Sequence, residues 1–279
     1  MIHKDTSSGL IYFHIHLVSD STGETLVAHT RASCAQYQHG IAIEHLHALV
    51  RSEHQMNKTL KAIKRFPGLV FHTLVNKERR HTLEAECAKF NIPSVSILDP
   101  SLAAIGRYLG APMSSEIGAQ RTMDEDYFTR ISALDFAMHH DDGQNIEGLA
   151  DADIILLGIS RTSKTPTCIY LANRGFKTGN IPLVPGVKLP DSFTGLKTPL
   201  IVGLVSSPDR IVQIRRQRVR AMGADRDTHY IDKEKVRTEM TQAKRLFARH
   251  KWPVVDVSRK SIEESAARII NLFQEREEG

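Results

Sequence analysis

Short β-branched apolar runs alternate along this chain with stretches in which apolar residues recur every three or four positions. That pattern predicts β-α units arranged around largely parallel sheets. In the first half, strands are expected at 11–18, 42–49, 69–75 and 94–98, with helices at 24–35, 53–66, 77–90 and 101–109. Residues 110–122 are rich in Gly, Pro, Ser and Ala without a sustained period, which reads as a loop or linker. A helix is expected at 124–139, stopped at Asp141-Asp142-Gly143 because Gly supplies the positive φ that helix ends commonly need.

A second series opens at 153–158, where Ile-Ile-Leu-Leu stands between Asp153 and Gly158 and reads as a buried parallel strand. Strands at 182–184, 200–205 and 253–257 and helices at 208–222, 233–250 and 261–275 complete it. The expected fold class is α/β, with an N-terminal open α/β domain over 1–148 followed by a P-loop kinase-like α/β domain over 149–279. No internal repeat is evident.

Length and composition agree with this outline. The chain has 279 residues, 41% hydrophobic and 25% charged, which suits an ordinary globular protein of two compact units or one large one. No apolar run approaches the roughly 18 residues needed to span a bilayer, and the first twenty residues lack a basic start followed by a long apolar core. A cytoplasmic protein without membrane contact is therefore expected. Cys34, Cys87 and Cys168 lie far apart with no CxxC, so reduced thiols packing as small hydrophobes are expected. The net charge of +5 suits an anionic partner. It does not by itself imply nucleic acid, because no helix-turn-helix, zinc module or aromatic RNA-binding signature accompanies it.

The candidate chemistry begins where the buried strand ends. Gly158-Ile159-Ser160-Arg161-Thr162-Ser163-Lys164-Thr165 places a glycine, four residues and Ser-Lys-Thr between a strand and a helix. This is the setting of a phosphate-binding loop. Backbone N–H groups converging at a helix N-terminus attract an anion. Lys164 would neutralise charge on a transferred phosphoryl group, and the Thr165 hydroxyl would ligate Mg²⁺. Ser163 stands where the usual pattern has a second glycine. An ordinary turn capped by Thr162 or Ser163 is the alternative, but it leaves unexplained a lysine at the positive end of a helix.

A strand-end carboxylate for metal or base work is also expected, and Asp256 after Pro-Val-Val is the best-placed candidate, unless it caps the helix beginning at Ser261 or sits in a solvated turn. The 19–25 segment, with Ser19, Asp20, Thr22, Gly23 and Thr25, opens a helix at a strand end and is a secondary ligand-binding candidate; capping by Ser21 or Thr22 is the alternative. Arg215, Arg216, Arg218 and Arg220 form a basic helical run in which Arg215 and Arg218 share a face, suited to phosphate contact or simply solvated.

Read onward, the loop with Tyr170-Leu171-Ala172, Gly175-Phe176-Lys177 and Asn180-Ile181-Pro182-Leu183-Val184-Pro185 resembles the pyruvate, phosphate dikinase regulatory proteins. These are bifunctional kinase and pyrophosphorylase enzymes, with the phosphoenolpyruvate synthase regulatory proteins as sisters. Val18 through Thr25, His140-Asp141-Asp142-Gly143, Asp256-Val257-Ser258 and Ser261-Ile262-Glu263-Glu264 extend the resemblance over about residues 11–270. Thr162 and Ser163 are similar to the dikinase branch's form of the loop. The resemblance implies ADP-dependent phosphorylation of a threonine in the dikinase active site, beside its phospho-histidine, which inactivates the dikinase. It also implies phosphate-dependent removal of that group as pyrophosphate. ADP and inorganic phosphate would then share the loop, with Asp256, or Asp141 together with His140, as the base. The synthase as target, or a small-molecule kinase of the P-loop type, are the alternatives, and a homodimer is among the assemblies expected.

Overall fold

The computed structural model describes residues 2–4, 9–110, 125–221 and 230–278. Most of the predicted loop at 110–122 lies outside the described residues. The chain divides into two compact units, Met1–Thr122 and Met123–Gly279. The sequence places the boundary near Gly148 instead. Contacts draw it earlier because the helix Glu125–His139 and the 3-10 turn Ile146–Asp151 belong to the second unit's packing.

In the first unit, β1 (Ile2–Lys4), β2 (Ile11–Val18), β3 (Gly40–His47), β4 (Leu69–His72) and β5 (Ser94–Ser96) form one sheet. Helices α1 (Glu24–Cys34), α2 (Glu53–Arg65), α3 (Lys77–Lys89) and α4 (Asp99–Leu109) connect or follow the strands. β2 pairs in parallel with β3 on one side and β4 on the other, β5 continues beyond β4, and β1 adds antiparallel against the start of β2. β1, three residues long, is too short to show a period and was not anticipated. Alternate residues of β2 serve opposite cores: Val18 packs with Met56, Leu60 and Ile63 of α2, while Ile15 and Leu17 pack with Leu26 of α1. α2 starts at Ser52, whose hydroxyl accepts from the Gln55 N–H while the Gln55 side chain returns to Ser52 N–H.

Histidine is the unusual component of this sheet. On one face of β2 and β3, His14 Nδ1 lies 2.8 Å from His45 Nε2, and His16 Nδ1 lies 3.0 Å from His47 Nε2. His16 is fully buried and its Nε2 reaches the Phe66 carbonyl at 2.8 Å. Burial first, and neighbouring imidazoles second, hold His45 below the ordinary imidazole range and push His47 down to about 4. His16 is lowered too, by burial against a raising bond from Phe66. The unfolded chain therefore binds protons that the folded one rejects. The stability contributed by the neutral cluster is present above about 6.5 and is lost as pH falls through about 4. Denaturant melts between pH 7 and 4 should show the first unit weakening over this window, and His47→Gln should flatten the curve; equal pH slopes for both proteins would contradict the assignment.

In the second unit, β6 (Ile154–Gly158), β7 (Thr178–Pro182), β8 (Leu200–Val205) and β9 (Val254–Asp256) form an all-parallel sheet in the order β7-β6-β8-β9. The helices are α5 (Glu125–His139), α6 (Lys164–Ala172), the short α7 (Asp191–Thr194), α8 (Pro208–Ala221), α9 (Lys233–His250) and α10 (Ile262–Glu277). β6 is buried at every position, as its unbroken apolar run predicts. Ile155 and Leu157 pack with Ile211 of α8 and with Val236, Met240 and Phe247 of α9, while Ile154 and Leu156 face Cys168 and Leu171 of α6 and Ile269 of α10. Burying side chains of this size contributes roughly 1.5–3 kcal/mol each.

The strand expected at 182–184 lies earlier, as β7. Its Thr-Gly-Asn-Ile-Pro sequence hides it, since Gly, Asn and Pro are poor strand formers. Tertiary packing overrides that preference. A Cβ on Gly179 would sit 2.3 Å from Leu149 Cδ2, and the buried Thr178 hydroxyl donates to the Cys168 carbonyl at 3.0 Å. Cys87 and Cys168 are buried in the cores, with their thiols pushed up by burial to about 11 and about 12. They behave as small hydrophobes, as expected.

Candidate functional site

Both sheets share one topology. The first strand of the series lies inside the sheet, the second pairs on one side of it, and the third and fourth lie on the other. β2 and β6 therefore end at topological switch points, where adjacent connections diverge and leave a crevice. A loop rich in hydroxyls follows each strand and enters a helix through a left-handed residue, Gly23 at φ 81° before α1 and Ser163 at φ 59° before α6. Thr25 and Thr165 each stand second in their helix. The first helical residues carry opposite charges, Glu24 in α1 and Lys164 in α6. Glu24 complements its helix dipole, whereas Lys164 adds positive charge to a positive helix end.

The second loop has the features that suit an anion. Among the described residues, the backbone N–H groups of residues 160–164 donate to no backbone acceptor. Arg161, at φ 75°, and Ser163 are both left-handed, which turns successive N–H groups inward. Ser163, which replaces the expected glycine, adopts the conformation for which glycine is usually used. Thr162 is fully buried and donates to the Ile159 carbonyl at 2.9 Å, tying the loop to itself. The Lys164 side chain folds back over the loop, with Nζ 3.2 Å from the same carbonyl. Lys164 is only 6% exposed. Burial pulls its ammonium down to about 8, against the nearby Asp142 and Asp141 carboxylates, which favour the charged form.

Asp141 joins this loop. The chain leaves α5 through His140, passes Asp142 and Gly143 in left-handed conformations, and pairs Gly143 N–H with the Asn180 carbonyl of β7 at 2.8 Å. Asp141 Oδ1 accepts from the Thr165 hydroxyl at 2.8 Å and from Asn180 Nδ2 at 2.5 Å. A hydroxyl and a carboxylate are hard oxygen donors of the kind Mg²⁺ accepts. His140 does not accompany Asp141 as a base candidate. Its ring stacks on Phe136 with centroids 3.9 Å apart, and Nδ1 lies 2.8 Å from the Phe136 carbonyl.

Asp256 is not brought to the loop. β9 stands two strands from β6, on the order of 10 Å at the backbone given ordinary strand spacing. Asp256 is exposed, and Oδ1 accepts from the Ser258 N–H at 2.8 Å and its hydroxyl at 2.5 Å, which is the solvated-turn alternative, while Ser261 caps α10 itself.

In the 19–25 segment Ser19 and Asp20 spend their side-chain polar groups internally, while Glu24 and Thr25 are exposed. Ser19 Oγ accepts from the Thr73 hydroxyl at 2.9 Å and from Ser21 N–H at 3.1 Å, and Asp20 Oδ2 accepts from Val75 N–H at 2.9 Å. Ser19 and Asp20 are buried carriers of the β2-β4 junction, and no side chain caps α1 at Gly23. With Asp20 and Glu24 there, this loop is the less suited of the two to an anion.

Arg215 departs from its expected role. It is 1% exposed, paired with Glu239 at 2.7 Å, and donates to the Ser160 carbonyl at 3.3 Å, so it supports the loop from behind instead of sharing a solvent face with Arg218. Arg218 is exposed on α8. Two residues escaped sequence reasoning: Asn180, which orients Asp141, and Tyr230, whose hydroxyl meets the loop. Asn180 carried a signal, a polar side chain amid an otherwise buried strand.

Comparison with known proteins settles the lineage. The family model described as Kinase/pyrophosphorylase matches residues 15–270. The chain belongs to the kinase/pyrophosphorylase family. It is 54% identical over 264 residues to a protein of Maricaulis maris (strain MCS10), covering 95% of this chain and 94% of that one. It is 53% identical over 268 residues to one of Hyphomonas neptunium (strain ATCC 15444), covering 95% and 96%. Both relatives are named as candidate pyruvate, phosphate dikinase regulatory proteins. Kinase/pyrophosphorylase membership makes the chain a phosphotransferase, and the match spans both units. Among the described residues no helix is long and apolar enough to cross a membrane.

Proposed function

We propose that this phosphotransferase regulates pyruvate, phosphate dikinase in both directions through the β6-α6 loop. In one direction the β-phosphoryl group of ADP passes to an active-site threonine of the dikinase, leaving AMP and an inactive dikinase. In the other, inorganic phosphate takes that phosphoryl group off as pyrophosphate. The observation that carries this reading is the anion cradle of residues 158–165, with its inward N–H groups, a buried Lys164 and the Thr165–Asp141 pair. Donor β-phosphate, phosphate and pyrophosphate share one chemistry, so one cradle serves both reactions. The relatives' names supply the protein substrate.

Positioning and charge neutralisation do most of the work in phosphoryl transfer. Lys164 holds the anionic group, and the loop's N–H groups fix its orientation. Asp141, kept in place by Asn180, stands beside the helix N-terminus, where it takes the proton of the attacking threonine hydroxyl. Thr165 and Asp141 would hold Mg²⁺, which when bound neutralises phosphate charge. The free thiols fit action in the cytoplasm.

The test incubates the purified protein with dikinase or with phosphoenolpyruvate synthase and ADP, then adds phosphate, following threonine phosphorylation and pyrophosphate release. Dikinase phosphorylation by ADP, reversed with pyrophosphate release, is expected. Transfer from ATP to a small acceptor with no reaction from ADP would sink the proposal, and modification of the synthase alone would redirect it. Asp141→Asn should lower turnover in the forward direction by about 100-fold or more, the usual contribution of a positioned base.

A further inference from the structure

The tip of the β6-α6 loop is met by a tyrosine hydroxyl from a distant part of the sequence. Tyr230 Oη lies 2.9 Å from Ser160 Oγ and 3.3 Å from Arg161 Nε. Ser160 and Arg161 are adjacent, and Arg161 is a non-glycine residue at φ 75°, a region that disfavours any side chain with a Cβ. Something outside the loop must hold that conformation.

The Tyr230 side chain is itself fixed. The Arg215 guanidinium lies over its ring at 4.5 Å from the centroid, and Arg215 Nη1 donates to the Tyr230 carbonyl at 3.1 Å. Glu239 of α9 pins the guanidinium through both carboxylate oxygens, at 2.7 and 3.3 Å. Arg215 Nη2 also donates to the Ser160 carbonyl at 3.3 Å. α8 and α9 thus reach Ser160 by two routes, through its backbone and through the tyrosine on its side chain. Burial pushes the Tyr230 phenol up, but the Ser160 and Arg161 bonds and the two guanidinium charges outweigh it and hold the phenol below its ordinary range.

We infer that Tyr230 is a positioning residue of the phosphate loop, holding Ser160 and with it the left-handed turn at Arg161 that aims the loop's N–H groups at the anion. Arg215 and Glu239 form the rigid base on which it stands. The inference rests on the reading of residues 158–165 as the anion site and assigns Tyr230 no contact with the anion itself.

Tyr230→Phe removes the hydroxyl and keeps the ring under Arg215, so the fold is retained. Titration of the full chain with ADP, and competition by inorganic phosphate, should both show binding weakened by about tenfold, the loss of two ordinary hydrogen bonds that preorganise a site. The melting temperature should stay within about 2 °C of wild type, since the contact is half-exposed and local. Arg161→Gly supplies the cycle that separates positioning from mere packing. With glycine the left-handed turn needs no holding, and adding Tyr230→Phe should cost no more than about threefold. Wild-type affinity in Tyr230→Phe would overturn the inference, as would a full tenfold loss in the Arg161→Gly background. Lys164→Ala is run beside them. If it leaves ADP binding intact, the anion-site reading has failed; if it abolishes binding while Tyr230→Phe does not weaken it, only the role of Tyr230 has failed.

Discussion

Replacing Lys164 with Met should weaken ADP and phosphate binding by at least about 100-fold while raising the melting temperature of the unliganded protein. Loss of a charge-bearing donor from a preorganised anion site commonly costs two to three orders of magnitude. The stability gain follows from burial. Lys164 is 6% exposed and its ammonium titrates near 8 instead of 10.5. At neutral pH the fold therefore retains a cation that it disfavours by on the order of 3 kcal/mol. Methionine fills the same space without the charge. The lost bond to the Ile159 carbonyl returns about 1 kcal/mol of that gain.

The pH dependence gives the sign. Between about 8 and 10.5 the unfolded chain holds the proton that the folded chain has released, so wild-type stability rises with pH across this window. Lys164→Met lacks that rise, and its advantage should shrink as pH increases. Wild-type anion affinity should fall over the same range as the cation is lost. Thermal melts and ADP titrations from pH 7 to 10 measure both trends. A variant less stable than wild type at pH 7, or one that still binds ADP, would show that Lys164 is a packing residue.

Gly158→Ala should produce the second large effect, losing stability and binding together. A Cβ there would sit 2.5 Å from Thr162 Oγ1 and 2.9 Å from the Leu204 carbonyl oxygen. Leu204 belongs to β8 and is fully buried, so its backbone cannot retreat without opening the sheet. Thr162 is equally buried and closes the loop on Ile159. Either response distorts the cradle. Overpacking of this kind costs roughly 1–3 kcal/mol, which lowers the melting temperature of a unit this size by several degrees. Gly186→Ala is the control. Its Cβ meets nothing within 4 Å, so it carries only the strain of a φ of +80°. Equal melting temperatures for Gly158→Ala and wild type would mean that the β6-β8 junction is more compliant than its packing indicates.

Much of this was legible in local order. The β2 and β8 strands appear where their runs predict them, at Ile11–Val18 and Leu200–Val205; β8 is buried at every position, and a strand buried on both faces tolerates little but apolar residues. α9 matches its periodic pattern at Lys233–His250. Gly143 at φ 81° ends the α5 segment where Asp-Asp-Gly announces a stop. The strand, loop and helix of 154–172 follow from a few contiguous residues, since a phosphate cradle is made largely by backbone N–H groups of one segment. Family resemblance added the reaction to be expected of that cradle.

What lay beyond reach were roles set by distant partners. On paper Asp256 was the best-placed carboxylate, with Asp141 beside His140 as the other base candidate. Asp141 reaches Thr165 across 24 residues and is steadied by Asn180 across 39, while Asp256 closes a two-residue turn with Ser258. Arg215 read as one of four similar helical arginines until packing buried it against Glu239, 24 residues away. Tyr230 meets Ser160 across 70 residues and had no local signal at all. Local sequence determined the elements and the loop proposed to bind the anion, because period, glycine placement and backbone geometry act over a few residues. Only the tertiary structure decided which carboxylate, arginine and tyrosine serve that loop, because burial and side-chain pairing depend on segments that folding alone brings together.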